Sequence, residues 1–478
     1  MAELRLDRLA PVAVTLLRVV AATAGRAEPV ALVGGAVRDA LVGRPALDVD
    51  VAVPAGGLAL ARRVAETVGG TLVVLDEERG AARVVVGPAR LDVTDFRAPT
   101  LEADLVARDF TVNALAVRLP TLLAAGRARV VDPGGGVADL RARRLRLPAP
   151  GVLHDDPLRT LRGVRLEATH ALRLTPAAAR AVRAAAPGLA RVAAERVRDE
   201  LLVLLALPRT LPSLRRAHAL GCLTVVLPEV QAMQATIQPA PHRFDVLEHS
   251  LRAVGGVDAL LPRLDALEPL GHELRAHVGE GLGGGVTRAQ TLKLAALLHD
   301  VSKPETRRVI GGRVRFLEHD VLGAARTRAI GERLRLPGRA VDVLERLVRH
   351  HLRPMHLAQA GGISRRARYR FYRDLREDTR DLLLLVLADA GAVTGASPLA
   401  AWRRSVVVRD LLGGWAEEHA AAAEPPLVRG HDVMARYGLA PGPEVGRLLD
   451  QAREAQGLGL VHTRDEALRH LDSCRGAP

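Results

Sequence analysis

Cysteine is nearly absent: Cys222 and Cys474 are the only two in 478 residues. So few, so far apart, exclude both a disulfide framework and a thiolate zinc cluster. Aromatic side chains make up 2% of the chain. Cores must therefore be aliphatic, and a base-stacking platform for single strands is disfavoured. The only lysines are Lys293 and Lys303. The longest apolar runs, Leu201–Leu207 and Leu382–Ala388, are far too short to span a bilayer. Near the N-terminus Glu3, Asp7 and Arg18 break the basic-then-apolar pattern of a secretory signal. A cytoplasmic protein without a membrane segment is expected.

Arginine is what the chain has in excess. The 68 basic and 54 acidic residues leave a net charge of +14, which points to a polyanionic partner, nucleic acid first. Compositional bias explains arginine replacing lysine; it explains the net excess less well. The length predicts roughly three domains.

Residues 1–145 alternate helical and strand patterns. The periodicity predicts helices over Val12–Ala24 and Ala59–Val68. Strands are predicted over Val30–Val33, Asp48–Val53, Thr71–Leu75, Ala82–Val86, Leu91–Phe96 and Phe110–Val117. After Asp132-Pro133-Gly134-Gly135-Gly136 strand signals nearly vanish. Helices are predicted over Leu158–His170, Pro176–Ala186, Ala194–Ala206 and Leu211–Leu220. Val225–His242, with three prolines, reads as a linker. The region from Phe244 to Val393 is helical and rich in His and Asp, apart from a Gly-rich loop over 279–287. From Ser397 the chain is helical again, with a break at Pro425-Pro426.

The most informative stretch is Ala31–Val53. An apolar run meets Gly34-Gly35, a helix follows, and a strand carries Asp48-Val49-Asp50. Alternate strand side chains share a face, so Asp48 and Asp50 point the same way. Two adjacent carboxylates call for a cation, and a hard divalent ion suits oxygen ligands. The glycines allow close backbone approach to a phosphate at the start of a helix. Together they predict chemistry on a nucleoside triphosphate.

Downstream, Asp92 lies on a further predicted strand, followed by Arg108-Asp109-Phe110-Thr111-Val112-Asn113. This series resembles the class II tRNA nucleotidyltransferases and bacterial poly(A) polymerases, whose motifs read GG-x-VRD, D-x-D and RRDFT-x-NA. Gly34, Gly35, Arg38, Asp48, Asp50, Arg108, Asp109 and Asn113 fill those positions, with Ala107 replacing the first arginine of RRD. The resemblance implies two-metal nucleotidyl transfer, with Asp48, Asp50 and Asp92 as catalytic residues. Asp48 and Asp50 would hold Mg²⁺, and Asp109 would sit near the ribose 2′-hydroxyl.

Asp155-Asp156-Pro157-Leu158-Arg159 resembles the family's EDxxR nucleotide-selecting motif, with Asp155 replacing Glu. Asp156 offers an acceptor and Arg159 paired donors, which match the amino group and ring nitrogen of cytosine or adenine. Arg162 and Arg165 continue the stripe, and Glu195-Arg196 with Glu200 resembles a buttressing helix. Family members that add all of CCA carry a longer loop between the third carboxylate and RRD. The short Arg97–Glu102 stretch resembles the CC-adding members.

Farther on, His249, His299-Asp300, His319, His350-His351 and Asp389 resemble the HD superfamily in its binuclear form, H…HD…H…HH…D. A carboxylate at Asp300 can bridge two metals while imidazoles complete each shell, and the donor set suits a divalent transition metal. Lys303 fits the HD-x-x-K form as a phosphate contact. Phosphatase, 2′-nucleotidase or cyclic phosphodiesterase activity is implied. In the tail, Gly430-His431-Asp432 and Gly442-Pro443 are similar to the C-terminal segment of HD-bearing nucleotidyltransferases.

The fold implied by the resemblance is α+β. A polymerase-β-like head with a mixed sheet (1–145) precedes an all-α neck (146–240), an HD domain (241–395) and a helical tail (396–478). The expected activity is addition of C and/or A, as CCA or CC only, to the tRNA 3′ end from CTP and ATP. The alternatives are a poly(A) polymerase, an HD phosphohydrolase with an inactive head, and an RNA-binding protein without chemistry. Intact Asp48 and Asp50 argue against an inactive head.

Overall fold

A computed structural model of the chain describes residues 2–25, 29–45, 47–416 and 424–475. The chain divides into two compact units. One comprises Met1–Glu200 with Arg216–Val226; the other comprises Leu201–Arg215 with Leu227–Pro478.

The first unit is built on a six-stranded sheet in the order Thr71–Asp76, Ala81–Val86, Ala89–Asp95, Asp48–Val53, Ala31–Val33, Ala116–Arg118. Asp48–Val53 and Ala89–Asp95 run parallel, and the other neighbours are antiparallel. The sheet is mixed, as expected.

Strand alternation decides what each face carries. Val49, Val51, Val53, Leu91 and Val93 pack with Leu16, Leu17, Leu60 and Val64 of the helices Pro11–Ala24 and Gly57–Val68 into an aliphatic core. Their neighbours Asp48, Asp50 and Asp92 therefore lie on the opposite face, where Ala31, Val33 and Ala52 form a smaller cluster with Leu101 and Leu105. A one-residue slip would bury the acids in that core, so the apolar pattern sets the register of the site.

Beyond Asp109 the predicted strand Phe110–Val117 is mostly a turn. A 3₁₀ segment covers Thr111–Asn113, and only Ala116–Arg118 is strand. The Phe110 carbonyl accepts the amides of Asn113 and Ala114, at 2.9 and 3.0 Å. Fully buried Phe110 packs against Gly163 of the helix Arg159–His170, where a Cβ would lie 2.9 Å from the ring. Glycine at 163 thus seats this helix against the turn that carries Asp109.

Among the described residues the second unit is helical apart from one hairpin, Arg307–Ile310 with Arg313–Phe316, which sequence reading missed because arginine fills half its positions. The predicted linker Val225–His242 contains a helix, Glu229–Gln234, with Val230 and Met233 buried. The prolines there bracket a helix rather than preventing one. The helices Val246–Leu260 and Thr379–Thr394 meet closely at Gly256, where a Cβ would lie 2.8 Å from the Ala388 carbonyl oxygen. That approach brings His249 to Asp389. The helix Arg288–Leu298 begins with a capping box between Thr287 and Gln290 and delivers His299-Asp300 at its end. Fully buried Arg288 is matched by Asp378 and Asp381, both at 2.7 Å. Toward the C-terminus Val433, Val445, Leu448 and Leu471 form a separate aliphatic cluster. No single described helix is long and apolar enough to cross a membrane.

Candidate functional site

A cleft of about 490 Å³ opens on the acidic face of the sheet, lined by Gly34, Gly35, Asp50, Asp92, Asp109 and a set of arginines. In the parallel register Asp50 lies beside Asp92. Burial, and then the negative charge of Asp92, push the Asp50 carboxyl up to about 6. Arg83 binds Asp92, yet Asp50 stays raised beside it, and the donors are hard oxygens, so the residues fit a divalent cation. Asp48, two residues earlier, is exposed at the start of the strand.

Gly34 adopts φ +74°, and a Cβ there would stand 2.9 Å from Asp50 Oδ2. The Gly35 amide donates to Asp50. The glycine turn, read from sequence as a phosphate cradle, thus seats the Asp50 carboxylate. Arg38 donates to Asp39 at 2.9 Å and also to the Asn113 side-chain oxygen. Asn113 Nδ2 donates in turn to Asp109 Oδ1 at 3.1 Å. Burial favours the neutral form of Asp109. The charge of Arg162, with hydrogen bonds from the Phe110 amide and Asn113, outweighs it and holds the carboxyl below its ordinary range. Asp109 is therefore an ionised acceptor inside the cleft.

Seven arginines line the cleft against three aspartates: Arg38, Arg83, Arg97, Arg108, Arg159, Arg162 and Arg165. Several are already matched. Arg83 forks onto Asp92, Arg108 binds buried Asp104 at 2.8 Å, and Arg162 and Arg165 share Glu200 at 3.0 and 2.8 Å. Arg159 is held by carbonyls: its Nη1 donates to Ala107 and Val152, both at 3.0 Å. Burial, followed by the charge of Arg108, lowers Arg97 to about 10. This positive surplus suits a triphosphate.

The predicted selecting pair is brought near the cleft but not paired with itself. Asp156 accepts from Arg196 at 2.9 Å and from the Leu158 amide, while Arg159 faces the carbonyls above. Asp155 is exposed at the end of the helix Val152–Asp155. Sequence reading missed Arg83 and Asp104. Each is a lone charged residue whose partner is set by strand pairing or a helix turn, and nothing in its local pattern marks it.

The second unit carries a separate centre. Nitrogen and oxygen atoms of His249, His299 and Asp389 converge as one group, and those of Asp300, His319 and His351 as another. His299, His319 and His351 each turn Nδ1 toward a main-chain carbonyl, Ala296, Phe316 and Val348, at 3.0, 2.7 and 2.7 Å. Their Nε2 atoms are thereby aimed inward, the tautomer and orientation a metal needs. Asp300 reaches both groups: Oδ2 is 3.2 Å from His299 and Oδ1 is 3.3 Å from His319. Asp300 Oδ2 and Asp389 Oδ1 are buried without a well-formed hydrogen bond, so the residues fit metal here too. Lys303 lies 2.7 Å from Asp300 Oδ2 and donates to Gln238 at 2.8 Å. His350 belongs to neither group. His242, unnoticed in the sequence, stands edge-on to His249 with ring centroids 5.0 Å apart.

Comparison with known proteins matches residues 30–146 to the Poly A polymerase head domain and 246–392 to the HD domain. Residues 171–234 match a probable RNA and SrmB-binding site of polymerase A. An A-adding tRNA nucleotidyltransferase of Deinococcus radiodurans is 40% identical, covering 91% of this chain and 93% of that protein. A CC-adding tRNA nucleotidyltransferase of Thermus thermophilus is 37% identical, covering 93% of each. Among solved structures, a CCA-adding enzyme with ATP aligns with a TM-score of 0.63 at 19% identity, covering 99% of this chain and 100% of that one. A Thermotoga maritima CCA-adding enzyme complexed with tRNA aligns with a TM-score of 0.59 at 20% identity, covering 99% and 100%. The head and HD domains imply the use of divalent metal.

Proposed function

The chain belongs to the tRNA nucleotidyltransferase family, and from that membership we propose that it adds C and/or A to the tRNA 3′ end without a nucleic-acid template. One observation carries the reading: Asp50 and Asp92 stand side by side in a cleft that seven arginines also line. Asp48, Asp50 and Asp92 are the residues proposed to hold Mg²⁺, which when bound activates an RNA 3′-hydroxyl and stabilises the pyrophosphate leaving group.

The protein's own groups do the rest. Arg97 and Arg108 attract the triphosphate of CTP or ATP. Ionised Asp109, fixed by Asn113, accepts a hydrogen bond from the ribose. Arg159 has Nη1 anchored by two carbonyls, which fixes the plane of its guanidinium and leaves the other donors for a base. Asp156 supplies the matching acceptor, and the Glu200–Arg162–Arg165 cluster stiffens this wall. Cytoplasmic placement is part of the proposal.

A narrower reading, addition of CC without the final A, has one observation in its favour. The strand Ala89–Asp95 joins the helix Leu101–Val106 through residues 96–100 alone, without the longer loop of members that add all of CCA. Offering tRNA that ends before CCA, after CC, or complete, each with labelled CTP or ATP, separates the outcomes by product length. Extension of the CC-ending tRNA with ATP would sink the narrower reading.

For the second centre we propose hydrolysis of phosphate esters. His249, His299, Asp300, His319, His351 and Asp389 would hold a divalent transition metal, and Lys303 would meet the phosphate. Asp48→Ala should abolish nucleotide addition and spare hydrolysis; Asp300→Ala should do the reverse. Addition that survives Asp48→Ala refutes the assignment of the head.

A further inference from the structure

No side chain of the hairpin Arg307–Ile310 with Arg313–Phe316 belongs to the cleft lining or to the two metal-type groups. Its register pairs Arg308 with Arg315 and Ile310 with Arg313, so Arg308, Ile310, Arg313 and Arg315 share one face. All four are exposed, Ile310 at 52%. On the other face Val314 and Phe316 are partly covered, and the Lys303 ammonium stands 5.6 Å from the Phe316 ring.

Like charges directly opposite on paired strands destabilise the pairing. Among the described residues Arg313 and Arg315 have no carboxylate partner, and Arg308 donates only to the carbonyls of Glu305 and Arg307. The contrast is local: Arg326 and Arg328, on the adjoining helix His319–Arg333, are matched to Glu305 and Asp342 at 2.7 and 2.6 Å. The turn is built to hold its shape, since Gly311 and Gly312 both take positive φ, +58° and +74°, as a tight type I′ turn requires. The hairpin also leads to the metal-type centre, because the Phe316 carbonyl receives His319 Nδ1 at 2.7 Å.

We propose that the face formed by Arg308, Ile310, Arg313 and Arg315 docks the phosphate backbone of a single RNA strand and guides its end toward Asp300 and His319. Guanidinium forks suit phosphate oxygens, and a bound strand supplies the negative charge that the Arg308–Arg315 pair lacks. An RNA partner is favoured over an acidic protein because the face offers three cations with a single apolar side chain and so little area for protein packing. The guiding step rests on the phosphohydrolase reading; the docking does not.

The test uses the full chain and a twelve-nucleotide single-stranded RNA. Amide hydrogen exchange over 307–316 should slow when the RNA is added. The triple variant R308A/R313A/R315A should lose that protection and bind about tenfold more weakly. Its plot of log affinity against log salt should be shallower by about 2, the release expected for three single-strand phosphate contacts. The lysine variant R308K/R313K/R315K keeps the charge and should keep the protection, which guards against a loosened hairpin. An unchanged salt slope with no RNA-dependent protection overturns the proposal. So does protection by polyglutamate where RNA gives none. If RNA protects the hairpin while no phosphate ester is hydrolysed, the phosphohydrolase reading fails and the docking surface stands.

Discussion

Arg83 grips Asp92 with both ends of its guanidinium, Nε to Oδ1 at 2.7 Å and Nη2 to Oδ2 at 2.8 Å. The two residues face each other across neighbouring antiparallel strands. The hydrogen-bonded Asp92 carboxylate, and then the charges of Asp48 and Asp50, hold the guanidinium above its ordinary range. Arg83 is thus bound by Asp92 and feels the charges of Asp48 and Asp50 as well.

Arg83→Ala should therefore release Asp92 for metal. The Mg²⁺ concentration giving half-maximal nucleotide addition should fall about threefold, as a competing positive charge is removed from a partly solvated site. The pair is about one-third exposed, with side-chain exposures of 35% and 28%, so the stability lost should stay within about 1 kcal/mol. A magnesium titration of addition rate, with a thermal melt, checks both; a rise in the magnesium requirement contradicts the account.

Gly34→Ala should disable the head more than it destabilises it. The φ of +74° and ψ of −138° suit glycine alone, at a cost of about 1–3 kcal/mol for any other residue. The new Cβ would also displace Asp50, and misplacing a catalytic group by an ångström costs about a hundredfold in rate. Steady-state kinetics should show kcat falling by that factor or more while hydrolysis at the second centre is unchanged.

The raised Asp50 carboxyl gives the metal-free chain a specific pH dependence. Its folded value of about 6 lies above the ordinary 3.8. The stability it contributes is therefore complete below the ordinary value and lost as pH rises through about 6. Asp50→Asn should raise the melting temperature of the metal-free protein at pH 7.5 by about 2–4 °C and leave it unchanged at pH 4. Added Mg²⁺ should stabilise the unaltered chain at pH 7.5 but not at pH 4. Calorimetry with EDTA and with magnesium at the two pH values reads all of this; equal magnesium shifts at both would remove the role given to Asp50.

Glu200→Gln should blur nucleotide choice. Arg162 and Arg165 share the two oxygens of Glu200, and without the carboxylate neither guanidinium keeps its place beside Asp109 and Arg159. Discrimination between CTP and UTP, as a ratio of kcat/KM, should fall about tenfold, the scale expected when a recognition wall loosens. A unchanged ratio would show that the cluster only supports the fold.

Much of this site was legible in the chain because its signals are local. Alternation put Asp48 and Asp50 on one strand face, and the observed strand, Asp48–Val53, has the predicted bounds. The histidine series was equally readable, since helix ends and short spacings carry His299-Asp300 and His351. Where prediction failed, a tertiary partner had overruled local preference. Phe110–Val117 has strand-like residues, yet Asn113 bonds to Asp109 and Arg38, and the segment turns. The hairpin at 307–316 was hidden because an exposed, arginine-filled strand has no apolar face to show a period.

By itself the sequence determined the acids, the glycines and the order of the histidines, because period-2 alternation and steric freedom at glycine act within a few residues. Only the tertiary structure decided which charges meet. Arg83 reaches Asp92, Asp104 takes Arg108, Glu200 gathers Arg162 and Arg165, and Asp300 stands between two histidine groups. These encounters follow from helix turns, strand pairing and helix docking, at separations such as four residues for Asp104 and Arg108 and 38 for Arg162 and Glu200, and electrostatic energy depends on distance in space rather than position along the chain.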